Sequence, residues 1–312
     1  VNANGDDALR LAQRAVEEDD IGQLRTVLDL RDAEFRSGKI DEFVDAAGAD
    51  SGRLLRDTDS AIRNRVFEAD LDRFGESGSL STGLKGQFRR NLLKQSLDGV
   101  SRQPPVTRYL DDLDRIGRGI DDGVEVDGAD GLIREFAEDE FRGSFGSYEG
   151  QAFEARRVAE YVDEARTGDE VRSITVDFDA GRSGKDIDYR VERFNGNLNI
   201  EAKSPESDLK AENIRDFVDS ADGKFTDLGD AIGPSERRIL DIESRDNGGL
   251  VPGRDDEALR QGVQQAVRDL RDQKGRDVNV DLVCVVGADA TTLVEIDGES
   301  VTLTADTSGV CT

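Results

Sequence analysis

The stretch Lys185–Ser204, KDIDYRVERFNGNLNIEAKS, decides the architecture. Side chains alternate faces along a strand, so a two-residue period marks one. In the first half Ile187, Tyr189 and Val191 share one face. Asp186, Asp188, Arg190 and Glu192 share the other. Asn195-Gly196 is a hairpin signal, because both residues accept the positive φ such turns need. In the second half Leu198, Ile200 and Ala202 face one way, and Asn197, Asn199, Glu201 and Lys203 the other. A hairpin therefore sets two polar rows side by side.

Working outward, Val171–Asp179 (VRSITVDFD) alternates through Ile174, Val176 and Phe178, which predicts a third strand of a meander. A helical stretch, Tyr148–Ala165, precedes it. A long helical and polar region follows the meander. Then Asp256–Lys274 reads as an amphipathic helix through Leu259, Val263, Val267 and Leu270. An apolar strand, Val278–Gly287, comes next, and TTLVEIDGESVTLT predicts a second hairpin turning at Asp297-Gly298. The N-terminal part has a helical period over Asp6–Asp19, Ile21–Leu30, Ala61–Phe74, Lys85–Leu97, Val106–Ile120 and Leu132–Phe141. Gly75–Gly83 and Gly143–Ser147 read as loops, and Pro104-Pro105 as a break. The expectation is an α+β (or α/β) chain. Residues 1–142 form a helical domain of unassigned role, and 143–312 a mixed-sheet domain with flanking helices.

Composition removes whole classes of chemistry. The 312 residues include no His, Met or Trp. Ser-His-Asp and Cys-His catalysis, a His general base and His-ligated zinc are all excluded. Two cysteines are too few for a four-cysteine zinc site or a dense disulfide framework. Cys284, in VDLVCVV, reads as a buried core thiol, with a bond to Cys311 left open. No apolar run approaches the ~20 residues of a membrane helix, and no signal-peptide core is present. The chain starts at Val1, so it is expected to be processed or cut from a longer polypeptide.

The net charge is −27, from 69 acidic and 42 basic residues. Asp outnumbers Glu 45 to 24, and Arg outnumbers Lys 34 to 8. Residues 1–143 carry −11 and 144–312 carry −16, so the acid is spread and not a tail. Such an Asp-rich, Lys-poor surface resembles that of proteins from extremely halophilic archaea. In molar salt the Debye length is about 3 Å, which screens the self-repulsion. The alternative is an acidic, partly disordered protein, given 36% hydrophobic content. Against this background the basic helix Lys85–Lys94 reads as a solvated face before it reads as a nucleic-acid contact.

The chemistry concentrates where the two polar rows meet. Asp186 and Asp188 on one strand lie beside Glu201 and Lys203 on the next. Two carboxylates beside one lysine, next to a buried face, suit Mg²⁺, which takes oxygen ligands and keeps several waters. A neighbouring lysine can orient a water acidified by the metal. The bland alternative is a charged outer sheet face with cross-strand Asp–Lys pairing.

At these residues the pattern resembles the PD-(D/E)XK nuclease superfamily, with its restriction-endonuclease-like fold. Asp188, followed thirteen positions later by Glu201-Ala202-Lys203, matches the motif's D and its ExK. Ile187 stands where the motif has proline. The resemblance covers about residues 145–290. It implies that Asp188 and Glu201 are metal ligands, that Ala202 contributes its carbonyl, and that Lys203 activates water. It also implies a glutamate on the preceding helix: Glu154, or Glu149 as second choice. Asp186 is an alternate to Asp188. Arg182 and Lys185 are candidate phosphate contacts in the loop before the motif strand, a loop that reads first as solvated. Ser204 and the row Gln261, Gln264, Gln265 could line a cleft, though an exposed helix face is the plainer reading. Arg156 and Arg157 are expected to pair with acids before phosphates.

The expected function is a Mg²⁺- or Mn²⁺-dependent nuclease on DNA, or on RNA. It could serve as the toxin or defence effector part of a larger polypeptide, in restriction or in repair. An immunity or other partner protein, or a homodimer, would accompany it. Its place could be a halophile's cytoplasm, or outside the cell as part of a longer chain. The rivals are a catalytically inactive nuclease-like interaction protein and a halophile surface or structural protein.

Overall fold

The computed structural model describes residues 39–75, 80–98, 105–138, 145–168, 170–179, 186–205, 208–233, 235–245, 248–304 and 310–311, besides Gln13. The expected helix Ile21–Leu30, nearly all of Asp6–Asp19, and the residues Arg182 and Lys185 lie outside the described residues. The chain divides into two units: one comprises residues to Arg118 with Ala129–Ser144, the other Gly119–Gly128 with Phe145–Thr312. Ten residues thus cross the boundary expected at 142, because they carry a strand of the second unit's sheet.

The first unit is helical. It contains α1 (Lys39–Ala47), α2 (Ser51–Asp57), α3 (Ser60–Glu68), α4 (Thr82–Asp98), most of α5 (Val106–Asp121) and α6 (Gly131–Glu138). The Asp59 carboxylate caps α3 by accepting from Ala61 N at 2.8 Å. The sequence period predicts a single helix over Ala61–Phe74, but the chain breaks after Glu68 and resumes as a 3₁₀ turn, Leu71–Phe74. The basic stretch Lys85–Leu97 does not present a solvated face. It is the buried middle of the unit: Phe88, Leu92 and Leu93 are fully buried, and the Arg89 guanidinium pairs with Glu42. Phe88, Tyr109 and Phe136 pack ring on ring, and Asn91 donates to the Phe136 carbonyl at 2.7 Å.

The second unit is an eight-stranded mixed sheet whose spatial order follows the chain, β1 to β8. The strands are β1 (Glu125–Asp127), β2 (Val171–Asp179), β3 (Asp186–Arg193), β4 (Leu198–Lys203), β5 (Arg237–Glu243), β6 (Leu282–Val286), β7 (Thr291–Asp297) and β8 (Ser300–Thr304). β2, β3 and β4 form the expected antiparallel meander. Gly196 turns the β3–β4 hairpin with φ 119°, which only glycine adopts without strain. β4, β5 and β6 are mutually parallel, joined by α8 (Ala211–Leu228) and α9 (Asp256–Lys274). α9 carries acids in its first turn and bases in its last, matching the helix dipole. β7 and β8 are the second hairpin. The helix before the meander, α7 (Phe145–Thr167), starts inside the stretch expected as a loop.

The sheet is covered on both faces, as parallel crossovers require. On one face Leu240, Ile242, Val283 and Val285 pack with Val218, Phe225, Val263 and Leu270 of α8 and α9. Asp241 alternates to the opposite face and meets α7: Arg157 Nε lies 2.9 Å from Asp241 Oδ2, and Tyr189 donates its hydroxyl to the same oxygen at 2.7 Å. Cys284, expected as a core thiol, is buried but bonded to Cys311. Tyr161 of α7 donates to the Val310 carbonyl at 2.7 Å, fixing the segment that carries Cys311.

Two measurements check this packing. Arg157 and Asp241 are both 0% exposed, so Arg157→Met leaves the buried Asp241 charge with the Tyr189 hydroxyl but no cation. It should cost roughly 3–5 kcal/mol in denaturant unfolding, and a loss under ~1 kcal/mol would contradict the pairing. Asp222 of α8 has Arg276 Nη2 at 2.9 Å, Lys274 Nζ at 2.5 Å and Asn279 N at 2.6 Å. Burial pushes its carboxyl up, but these donors outweigh burial and hold it below the usual range. A depressed acid stabilises the fold above its unfolded pKa, and that contribution is lost as pH falls through the folded value. The stability gap between the natural chain and Asp222→Asn should therefore shrink below the ordinary carboxylate value of 3.8.

Candidate active site

β3 and β4 part where the candidate residues begin. Their ladder pairs Val191 with Leu198, Arg190 with Asn199 and Tyr189 with Ile200, then ends. β4 continues along β5 instead, pairing Glu201 with Leu240, Ala202 with Asp241 and Lys203 with Ile242. The Ala202 N–H, released from the β3 backbone, donates to Asp188 Oδ2 at 2.5 Å. A strand residue's N–H and C=O point to the same side, so the Ala202 carbonyl faces the same fork. On the β2 side Asp177 has φ 51°, the positive φ among the described non-glycine residues. It falls between the pairs Val176–Tyr189 and Phe178–Ile187, next to Asp188 in register.

Asp188 and Glu201 share the face covered by α8. Glu201 is 0% exposed, whereas the side chains of Asp188, Lys203 and Lys224 are 23%, 25% and 29% exposed. One wall of the site is thus dry and the other open to water. Lys203 donates to Glu201 Oε1. Lys224, from α8, places its Nζ 2.9 Å from Glu201 Oε2 and 3.5 Å from Asp188 Oδ1. Burial pushes the Glu201 carboxyl up, and the Asp188 charge pushes it further. Lys203 and Lys224 pull it back only in part, so it stays raised. Burial pulls the Lys224 ammonium down, but Asp188 and Glu201 more than offset this and hold it charged.

The structure therefore brings Asp188, Glu201, Ala202 and Lys203 together. Asp186 begins β3 on the same face and is exposed. Glu154 is buried on α7 and does not join the pair: among the described residues no group of three or more Asp, Glu, Cys or His side chains is placed to hold a metal. Glu149 lies 2.6 Å from Arg245 Nη1. Arg245 Nη2 also reaches Glu243 at 2.7 Å and Ser204 Oγ at 2.6 Å. Glu149 is thus tied to the ends of β4 and β5, one residue beyond Lys203. Gln261, Gln264 and Gln265 bond within their own helix, to Glu257, Arg260 and Asp269. Arg156 and Arg157 both pair with Glu160.

Sequence reasoning missed Lys224. Lysine is scarce in this chain, with eight in all, and that signal would have marked Lys224 as it marked Lys203. The first unit holds a cavity of about 270 Å³ beside Arg65, Arg73 and Asp114, but these charges are ion-paired, Arg65 with Asp111 and Arg73 with Asp114.

Comparison with known proteins finds no family model, no curated protein and no solved structure that matches the chain.

Asp188 has a structural duty that can be separated from a chemical one. Asp188→Ala should cost about 1–3 kcal/mol, because a strand N–H loses its acceptor. Asp188→Asn keeps an acceptor oxygen and should stay near the natural stability in urea titrations. Equal losses in both variants would count against the fork geometry.

Proposed function

We propose that the second unit is a Mg²⁺- or Mn²⁺-dependent phosphodiesterase acting on nucleic acid, DNA before RNA. The observation that carries this is the fork: a buried glutamate and a partly exposed aspartate face each other across parting strands, with a lysine two residues along. The element order supports it as well. Helix, three-strand meander, helix and strand is the order the PD-(D/E)XK resemblance implies. The expected helix Asp256–Lys274 is α9 and the expected strand Val278–Gly287 holds β6, Leu282–Val286; α8 and β5 come between them and the meander.

The donor set fits a hard cation. Asp188, Glu201 and the Ala202 carbonyl are all oxygen donors, and Mg²⁺ is commonly held by one or two carboxylates with waters completing its shell. Bound there, the cation would acidify a water and offset charge on the phosphoryl oxygens. The protein's own share is positional. Glu201 is immobilised by its strand and by Lys203. Asp188 is aimed by the Ala202 N–H. Lys203 Nζ, on the exposed side, holds the attacking water and faces the developing charge on phosphorus. The acidic surface gives little counterion-release affinity, so in high salt substrate binding rests on local contacts at the fork.

One observation favours the inactive rival: an ammonium, Lys224, already answers both carboxylates. Activity decides between them. In high-salt buffer with Mg²⁺ or Mn²⁺, Lys203→Ala and Glu201→Gln should each reduce cleavage of single- and double-stranded DNA and RNA by at least ~10²-fold, with folding intact by circular dichroism. Undiminished cleavage in both variants sinks the assignment, and no cleavage by the natural chain favours the inactive rival.

A further inference from the structure

The Asp188–Glu201 pair holds a cation of the protein's own. Lys224 Nζ lies between the two carboxylates, 2.9 Å from Glu201 Oε2 and 3.5 Å from Asp188 Oδ1. Resting on the metal-dependent reading above, we propose that Lys224 is a displaceable counter-ion: its ammonium takes the divalent cation's place and must leave before that cation binds.

Three observations support this. The first is charge. Asp188 and Glu201 are balanced by Lys203 and Lys224, so a divalent ion added to the intact cluster meets surplus negative charge only from the exposed Asp186. Removing one ammonium increases that surplus. The second is bonding. Lys203 makes a directed hydrogen bond to Glu201 Oε1, but Glu201 Oε2 accepts no hydrogen bond of good geometry despite its burial. Lys224 donates instead to Asp188 Oδ1, at a long 3.5 Å, so its hold on the pair is looser than that of Lys203. The third is an exit. The Lys224 side chain is 29% exposed, and Asp186 is an exposed carboxylate on the same strand face. The ammonium can leave Glu201 without losing every carboxylate neighbour.

The test is Mn²⁺ binding to the full chain, by calorimetry in molar KCl, with no substrate present. Lys224→Gln should bind Mn²⁺ roughly tenfold more tightly than the natural chain, the scale of coupling between two linked sites. Lys224→Arg should bind no tighter than the natural chain. Adding Glu201→Gln to Lys224→Gln should erase the gain. Unchanged or weaker binding by a folded Lys224→Gln overturns the displacement while leaving the metal site standing. If neither protein binds Mn²⁺ through Glu201, the metal-dependent reading itself falls, and the displacement with it. Should Lys224→Gln fail to fold, Mg²⁺ titration of the natural chain followed through lysine side-chain NMR signals serves instead. The Lys224 signal should move toward that of a solvated lysine, and a signal unmoved at saturation overturns the proposal.

Discussion

A carboxylate with no solvent exposure, in the middle of a sheet, has to be answered by cations or hydrogen bonds, or it gives up its charge. Glu201 sets that constraint here. β4 carries it between β3 and β5, and α8 closes the face above it. Lys203 and Lys224 are held near it by the same need. The parting of β3 from β4 is part of the answer as well. A fork frees main-chain groups that an unbroken ladder would use, and one of them, the Ala202 N–H, is answered by Asp188.

The same face is hydrophobic farther along the sheet. Leu240 and Ile242 on β5 and Val283 and Val285 on β6 are packed under α8 and α9. That apolar floor fixes the helices. It thereby fixes the height of Lys224 above the fork, because Ala221 and Phe225, on either side of it along α8, are both buried. Apolar packing and ionic contact on the sheet-facing side of α8 are therefore one arrangement.

Much of this was legible in the chain. The alternation of Lys185–Ser204 and the Asn195-Gly196 turn give the meander, and the ladder observed has the pairing that hairpin requires. Asp188 and Glu201 meet because register follows from the turn. Other features were not legible, for physical reasons. Alternation shows which residues share a face, not what covers it, so Asn199 and Glu201 read as a solvent face although both residues are fully buried. β5, RRILDIE, escapes a reading by period because both its faces are covered and its alternation is blurred. Lys224 lies on a helix whose polar side resembles any solvated helix, and no local pattern says that it meets a strand 23 residues earlier. Arg89 likewise reads as surface until Glu42 is placed beside it.

The Cys284–Cys311 bond has a mechanical meaning. Cys284 sits on β6, inside the sheet, and Cys311 follows the β7–β8 hairpin in the chain. A pull applied at residue 311 therefore enters the molecule through β6, flanked by strands on both sides, with Tyr161 of α7 gripping the adjacent Val310. The β7–β8 hairpin lies within the loop the bond closes, so the disulfide gives the load a path to β6 that bypasses it. Such a load falls on a strand hydrogen-bonded to neighbours on both sides, and not on the edge strand β8 alone.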